Sequence, residues 1–125
     1  MKSVLTLTLN PSLDVATTVE QVRSMDKLRC ALPKTDPGGG GINVARVMAR
    51  LGGTATALFT AGGPNGQALE ELLAAESIAS QPLQIGESTR QSFTVFERST
   101  RQQYRFVMPG PELDASACRR CIDHV

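Results

Sequence analysis

Apolar and polar positions alternate in some parts of this chain and recur at helical spacing in others. Alternation over residues 4–9 predicts a strand, residues 54–61 predict a second, buried strand, and residues 78–85 predict a short strand with its entry turn. Apolar residues at helical spacing over 42–51 predict a helix that ends at the following Gly-Gly pair, and residues 67–76 predict another. A strand, a helical crossover and a strand in this order predict parallel pairing with right-handed connections.

The remaining patterns are shorter and more polar. Residues 16–19 and 27–32 predict two short strands, and residues 89–97 with 103–107 predict a hairpin. A last helix begins near Asp114, a suitable N-cap residue. Its apolar stripe still runs at the end of the sequence, and only about three core strands are predicted, fewer than such a sheet usually has. We therefore expect the sequence to be the front part of a longer protein.

The four consecutive glycines at positions 38–41 are the clearest functional signal. Glycine lets the backbone adopt positive φ and lets a ligand lie against main-chain atoms, and the helix that follows presents unpaired N–H groups. A Walker A loop would need Lys-Ser or Lys-Thr where Ile42-Asn43 stand, and a dinucleotide loop would need glycine at 43 or 44. No hydrophobic strand leads into the run. We expect a neutral or hydroxyl-rich ligand, with Asn43 as a donor and acceptor.

Two further features leave alternatives open. Asp14 lies just past the first predicted strand, where it either accepts hydrogen bonds from sugar hydroxyls or caps a turn. Residues 61–66, AGGPNG, join a strand to a helix and miss the dinucleotide fingerprint only at the first position. A Rossmann-type oxidoreductase is therefore the competing interpretation from another functional class.

Charge and cysteine content narrow the function classes. Thirteen basic and twelve acidic residues give a net charge of +1, which offers no bulk attraction to nucleic acid or to an anionic membrane. No apolar run approaches the roughly 20 residues of a membrane span, and no signal peptide pattern is present, so we expect a cytoplasmic protein. Cys118, Cys121 and His124 could be three zinc ligands, or Cys118 and Cys121 could form the apolar stripe of a helix with Ile122 and Val125. The stripe is favoured because a zinc site needs a fourth ligand and no second CxxC is present.

A family resemblance rests on these same motifs. Residues 38–45, followed by Gly52 and Gly62, resemble the first signature of the PfkB (ribokinase-like) carbohydrate kinases. Residues 8–14, TLNPSLD, resemble the opening of the sugar-phosphate branch of that family. Residues 27–30, KLRC, and 103–110, QYRFVMPG, are similar to the same branch. The resemblance covers essentially the whole chain.

The resemblance implies a three-layer α/β/α domain with a parallel sheet, of which residues 1–125 are the N-terminal part. Segments of about 15–36 and 88–108 would form a small β-sheet lid, through which two subunits form a homodimer. The family transfers the γ-phosphoryl group of ATP, with Mg²⁺, to a sugar hydroxyl. The lid segment favours fructose 6-phosphate, giving fructose 1,6-bisphosphate; tagatose 6-phosphate and fructose 1-phosphate remain alternatives, as does a non-catalytic sugar-phosphate binding module.

The resemblance also implies roles for individual residues. The sugar hydroxyls would contact Asp14 and the glycine turn, and the substrate phosphate would contact a guanidinium fork. The residues implied are Asp14, Gly39, Gly40 and Asn43 for the sugar and Arg90 for the substrate phosphate, with Arg105 and Lys27 adding positive charge near the phosphates. The family's catalytic base lies in a second signature, a Gly-Ala-Gly-Asp loop, which these 125 residues do not contain. We therefore expect this chain to be inactive alone and to expose apolar surface.

Overall fold

The computed structural model describes residues 2–125, which form seven strands and three helices. In chain order the elements are β1 (Val4–Thr8), β2 (Ser12–Val19), β3 (Lys34–Gly38), α1 (Gly40–Arg50), β4 (Ala55–Ala61), α2 (Gly63–Ala75), β5 (Ala79–Gln84), β6 (Arg90–Glu97), β7 (Gln102–Phe106) and α3 (Ala115–Asp123). The strands form two separate sheets, one of three strands and one of four.

The main sheet consists of β1, β4 and β5 in that order, and all of its pairs are parallel. The three predicted core strands and their parallel pairing are confirmed. In β4, Ala57 and Phe59 belong to one buried cluster and Leu58 to another, so successive side chains enter the two faces of the sheet. This central strand is apolar on both faces because helices cover both of them.

Helices lie on both faces of the main sheet, which gives the predicted three layers. Ile42 of α1 and Leu69 and Leu73 of α2 are fully buried against the face that contains Phe59. On the opposite face, Cys121 of α3 packs with Leu58 and Leu83. Asp114 caps α3 by accepting a hydrogen bond of 2.7 Å from the N–H of Ala117, as its position in the sequence predicts.

The second sheet has the strand order β3-β2-β6-β7. The predicted hairpin is confirmed, because β6 and β7 pair antiparallel with Phe93 opposite Phe106. Strand β2 pairs in parallel with β6, from Ser12 opposite Arg90 to Val19 opposite Glu97. The two segments that the resemblance assigns to a lid therefore contribute to one sheet, although they are far apart in the sequence.

The predicted strand at residues 27–32 is wrong. Residues 20–33 form a connection, and the strand lies later, at β3. The edge of β2 from Ser12 to Ala16 pairs with β3, while Ala31 is held at the end of β2 by its N–H bond of 2.9 Å to the Thr18 carbonyl. Strand β3 has the sequence KTDPG, which lacks apolar alternation and therefore gives no periodic signal.

The structure tests two expectations about loops. No hydrophobic strand leads into the glycine run, as expected, because the strand that ends at Gly38 is the polar β3. Helix α2 begins at Gly63 instead of Gln67 and takes up most of the proposed dinucleotide loop. The N–H of Gly62 donates to the Thr89 hydroxyl at 3.0 Å, and a Cβ at Gly62 would meet the Glu87 carbonyl oxygen. The Gly62–Gly63 turn is therefore packed against the Glu87 backbone, and the N–H of Gly62 is already bonded, which argues against the dinucleotide interpretation.

One face of the main sheet remains open beside α3. Leu5, Leu7 and Leu9 are 44%, 42% and 44% exposed. An apolar groove of about 350 Å³ is lined by Leu7, Leu9, Cys118, Cys121, Ile122 and Val125. The exposed apolar surface expected from the sequence is thus present.

None of the helices in residues 2–125 is long and apolar enough to cross a membrane.

The cysteines at the end of the chain belong to this apolar surface. Cys121 is buried and Cys118 is exposed on the same helix, while Nδ1 of His124 lies 2.7 Å from the carbonyl oxygen of Arg120. Across the described part of the chain, no three or more histidine, cysteine or acidic side chains gather where they could hold a metal ion. The arrangement matches the helical stripe.

Candidate functional site

A cavity of about 210 Å³ lies where the second sheet meets the start of α1. It is lined by Ser12, Asp14, Gly39, Gly40, Asn43, Arg90, Ser92, Phe93, Thr94, Arg105, Phe106 and Val107. Six of the seven residues that the resemblance implies are among them. Two strands, a glycine turn and the hairpin end therefore bring these side chains together from three distant parts of the sequence.

The glycine turn of residues 38–41 forms the main-chain wall of the cavity. Gly39 has φ of 125°, which lies in the region that favours glycine, and it precedes the first turn of α1 without a side-chain cap. The hydroxyl of Thr8 accepts the N–H of Ile42 at 3.1 Å, and a Cβ at Gly41 would lie 2.5 Å from that hydroxyl oxygen. A Cβ at Gly40 would meet no atom within 4 Å. The N-terminal end of α1 is therefore open to a ligand on this side.

Asp14 is placed within β2, instead of in a turn after β1. Its carboxylate is exposed to the cavity and accepts a hydrogen bond of 2.6 Å from the hydroxyl of Ser12. A Cβ at Gly38 would overlap Oδ2 of Asp14. Gly38 thus provides the space that the carboxylate occupies, and Ser12 fixes its orientation. The turn-capping alternative for Asp14 is wrong.

Arg90 begins β6 and is fixed by two backbone carbonyls. It donates at 3.0 Å to the carbonyl of Asn10, in the turn between β1 and β2, and at 3.1 Å to that of Met108, after β7. A guanidinium has five N–H donors, so donors remain for a ligand. The two motifs of the sugar-phosphate branch, around residues 8–14 and 103–110, meet at this side chain. Arg90 is therefore both a structural link and a candidate anion ligand.

Ser92 and Thr94 share a face of β6 with Arg90 because they follow it at intervals of two. The hydroxyl oxygen of Ser92 and Nε of Arg90 are buried without a hydrogen-bond partner among residues 2–125. Arg105 of β7 lies opposite Thr94 and is exposed at the cavity. Strand β6 thus provides polar groups along the cavity floor, with a second guanidinium beside them.

Three residues that shape the cavity were not predicted from the sequence. They are Ser12, Ser92 and Gly38, which leaves space for the Asp14 carboxylate. The period-two alternation of β6 was visible, since Phe93 and Val95 predict one face and Arg90, Ser92 and Thr94 the other. Ser12 and Gly38 become adjacent only through the pairing of β2 with β3. No local sequence pattern indicates which residues of β2 and β3 lie opposite each other.

Lys27 is the implied site residue that the structure does not bring to the cavity. It lies in the connection between β2 and β3 and lines a separate cavity of about 430 Å³ with Arg23, Arg29 and Arg98. Arg98 there pairs with Glu20 at 3.1 Å, and Arg23 with Asp26 at 3.1 Å. Within a single chain, Lys27 is remote from Asp14 and Arg90.

The distribution of charge suits a ligand with two chemically different ends. Arg90 and Arg105 are the cationic side chains of the cavity lining, and Asp14 is the carboxylate of that lining. Guanidinium groups bind phosphate oxygens, whereas a carboxylate and main-chain N–H groups bind hydroxyls. The lining offers no pair of carboxylates of the kind that holds Mg²⁺. The arrangement can bind and orient a phosphorylated polyol.

Comparisons with known proteins agree with this geometry. Residues 8–120 match the family described as pfkB family carbohydrate kinase. The chain belongs to this family. It is 50% identical over 122 residues to ATP-dependent 6-phosphofructokinase isozyme 2 of Mycobacterium tuberculosis (strain CDC 1551 / Oshkosh), covering 98% of this chain and 36% of that protein.

Two further similarities extend the comparison to the fold. The chain is 47% identical over 125 residues to ATP-dependent 6-phosphofructokinase isozyme 2 of Escherichia coli (strain K12), covering 100% of this chain and 40% of that protein. It superimposes on the crystal structure of phosphofructokinase-2 from Escherichia coli in complex with fructose-6-phosphate with a TM-score of 0.95 and 47% identity, covering 99% of this chain and 41% of that one. This pfkB chain therefore spans about two fifths of the relatives it matches.

Proposed function

We propose that this chain forms the sugar-phosphate side of an ATP-dependent kinase that converts fructose 6-phosphate to fructose 1,6-bisphosphate. The observation that carries the proposal is the cavity that joins the glycine turn and Asp14 to Arg90 and Arg105. Support also comes from relatives named as 6-phosphofructokinases and from a similar protein solved in complex with fructose-6-phosphate.

In this proposal each part of the cavity binds a different part of the substrate. The guanidinium groups of Arg90 and Arg105 bind the phosphate that the sugar already carries. Asp14, Asn43 and the backbone of Gly39 and Gly40 bind the sugar hydroxyls. Since Ser12 and Gly38 fix the Asp14 carboxylate, the sugar is oriented by groups that need little rearrangement on binding.

The phosphoryl donor in this proposal is ATP with Mg²⁺, which supplies the transferred γ-phosphoryl group and neutralises its charge when bound. The residues of this chain bind and orient the acceptor sugar. They do not supply the Gly-Ala-Gly-Asp loop in which the family carries its base. We therefore expect no ADP release when this chain is mixed with ATP, Mg²⁺ and fructose 6-phosphate, and steady turnover would contradict this part of the proposal.

Binding of the sugar phosphate is tested by isothermal titration calorimetry with fructose 6-phosphate and with fructose. We expect saturable binding of the phosphorylated sugar, and weaker or no binding of fructose. Arg90→Ala should weaken binding by about 2 kcal/mol, or roughly thirtyfold, because a charged hydrogen-bond donor is removed. Equal affinity for fructose and fructose 6-phosphate would overturn the phosphate assignment.

A matched control is needed because Arg90 also links two backbone segments. Arg90→Lys keeps the positive charge but loses the planar fork, so we expect an affinity between those of the wild type and Arg90→Ala. Thermal unfolding of both variants gives the highest temperature at which each remains folded. Affinities are compared below that temperature.

We further propose that the second sheet is a lid, with segments of about 15–36 and 88–108, and that it joins two subunits in a cytoplasmic homodimer. The exposed Leu32, 95% accessible, and Phe96 line a shallow cavity of about 320 Å³ on this sheet. Such a surface favours a protein partner. Sedimentation velocity should give a dimer that Leu32→Asp dissociates, and a monomeric wild type would contradict this assembly.

A further inference from the structure

Arg46 is a cationic side chain of α1 that is only 16% exposed and lies outside the candidate cavity. Its guanidinium pairs with Glu76, the residue that ends α2: Nη2 donates to Oε1 at 3.0 Å, and Nε lies 2.8 Å from Oε2 without the geometry of a hydrogen bond. One hydrogen bond and one close ion pair thus hold the guanidinium beside this carboxylate. Glu76 therefore restrains the position from which Arg46 reaches its other partners.

The remaining donors point at β3. Nη1 of Arg46 donates to the Pro37 carbonyl at 3.2 Å, and Nη2 lies 3.8 Å from Oδ1 of Asp36. These two residues come directly before Gly38 and Gly39, and Pro37 is buried. A single side chain thus connects the end of α2, the middle of α1 and the backbone that enters the glycine turn.

Asp36 connects this network to the sugar side of the cavity. It lies directly opposite Asp14 in the pairing of β2 with β3, so the two carboxylates are neighbours on one face of the sheet. Like charges in this position repel each other. Arg46, together with Lys34 at 3.8 Å, offsets the charge of Asp36. Without Arg46, the Pro37 carbonyl loses a hydrogen-bond donor and the charge of Asp36, which lies opposite Asp14, is less offset.

We propose that Arg46 is a positioning residue of the sugar-phosphate site and that Glu76 acts on the same site through it. The inference rests on the proposed function, because the ligand of the cavity is the sugar phosphate. Arg46 holds Asp36 and Pro37 so that the gap between Asp14 and the glycine turn keeps its width. A site that is held in place by its neighbours binds more tightly than one left loose.

The experiment compares Arg46→Gln, Glu76→Gln and Arg50→Gln with the wild type. Arg50 is the matched control, since it lies on the same helix and contacts the same Glu76 at 3.5 Å, but it is 66% exposed and is paired with no residue of β3. Dissociation constants for fructose 6-phosphate are measured by calorimetry at a temperature where circular dichroism shows every variant folded. The N–H chemical shifts of residues 38–43 are recorded for each variant without ligand.

We expect Arg46→Gln and Glu76→Gln to weaken binding by about tenfold, the scale on which residues coupled through packed networks act. Both should shift the signals of residues 38–43, and Arg50→Gln should change neither quantity by more than about twofold. Arg46→Lys should recover part of the affinity, because it keeps a charge near Asp36. A merely structural role would lower the unfolding temperature and leave the affinity of the folded variants unchanged, which would overturn the inference.

The two proposals fail in different ways. If the wild type does not bind fructose 6-phosphate, the proposed function fails. If the wild type binds and all of the variants bind equally well, the function stands and the role of Arg46 is wrong. An equal loss of affinity in Arg50→Gln and Arg46→Gln would also contradict the inference, since only Arg46 reaches β3.

Discussion

The two sheets of this chain are built on different physical principles. The central strand of the main sheet buries aliphatic and aromatic side chains on both faces, with Leu58 and Phe59 fully buried, whereas Leu5 and Leu7 of the edge strand β1 are 44% and 42% exposed. The second sheet exposes much of its surface, with Phe93 at 37% and Phe106 at 51%, and it bears serine, threonine and arginine toward a cavity. Stability is therefore concentrated in one sheet and ligand chemistry in the other.

A substitution in the core of the main sheet should have the largest effect on stability. Phe59→Ala removes a fully buried ring from the core and should lower the free energy of unfolding by about 3–5 kcal/mol. Phe106→Ala is the matched change in the second sheet and should cost about 1 kcal/mol or less, since the ring is half exposed. Urea unfolding measures both. Equal losses would contradict the division between the two sheets.

Phe59→Ala removes enough stability to unfold a small domain. Phe59→Leu, which keeps most of the buried volume, should cost about 1.5 kcal/mol or less and keep the fold measurable. A larger loss in Phe59→Leu than in Phe106→Ala would still support the comparison.

A substitution at Gly38, where the second sheet meets the glycine turn, should affect ligand binding more than stability. In Gly38→Ala the added Cβ would overlap Oδ2 of Asp14, so the carboxylate must move away from its position beside the turn. We expect the affinity for fructose 6-phosphate to fall by roughly tenfold, as when one hydrogen bond to a ligand is removed. Calorimetry measures the change.

Gly86→Ala is the control for that substitution, because a Cβ there meets no atom within 4 Å and the residue lies outside the cavity. Its affinity should match that of the wild type. Unchanged affinity in Gly38→Ala would mean that Asp14 does not take part in binding.

A smaller effect should appear in the pH dependence of stability. The hydroxyl of Thr100 and the N–H of Val22 both donate to Glu97 and hold the pKa of this carboxyl below its ordinary value. The stabilisation is present above the ordinary pKa and is lost as pH falls through the lowered one, in a window below about pH 5. Unfolding followed from neutral to acid pH should show wild type and Glu97→Gln converging. A constant difference between them would rule out this contribution.

The smallest expected effect is a difference in alkylation rate between buried and exposed thiols. Burial and the neighbouring Cys118 raise the pKa of Cys121, so little thiolate forms there, whereas Cys30 and Cys118 are exposed. Mass spectrometry after brief iodoacetamide treatment at neutral pH should find Cys30 and Cys118 modified and Cys121 intact. Modification of Cys121 at the same rate would show that α3 does not pack against the main sheet.

The main sheet could be predicted from the sequence because its signals are local. Alternation in β1, the apolar run of β4 and the helical spacing around Ile42 each report burial within one segment. The last helix was predicted with its N-cap, Asp114, for the same reason. In each case the residues that form the element also specify which of its faces is buried.

The second sheet could be predicted only in part because its defining contacts are long-range. The hairpin of β6 and β7 was predicted, but the parallel pairing of β2 with β6 joins residues almost eighty positions apart. Strand β3 is polar, so neither its position nor the contact between Gly38 and Asp14 has a periodic signal. Asp14 and Asn43 were candidates from their positions in the sequence and Arg90 through the family resemblance, whereas Ser12 and Ser92 became evident only from the fold.

The most direct test of the account is to map where a sugar phosphate binds. Fructose 6-phosphate is titrated into the ¹⁵N-labelled chain, and amide chemical shifts are followed to saturation. We expect saturable shifts at residues 12–14, 38–43 and 90–94, and none around Leu58, Leu83 and Cys121 on the far face of the main sheet. Shifts confined to the cavity that contains Lys27, or no shifts in a folded chain, would contradict it.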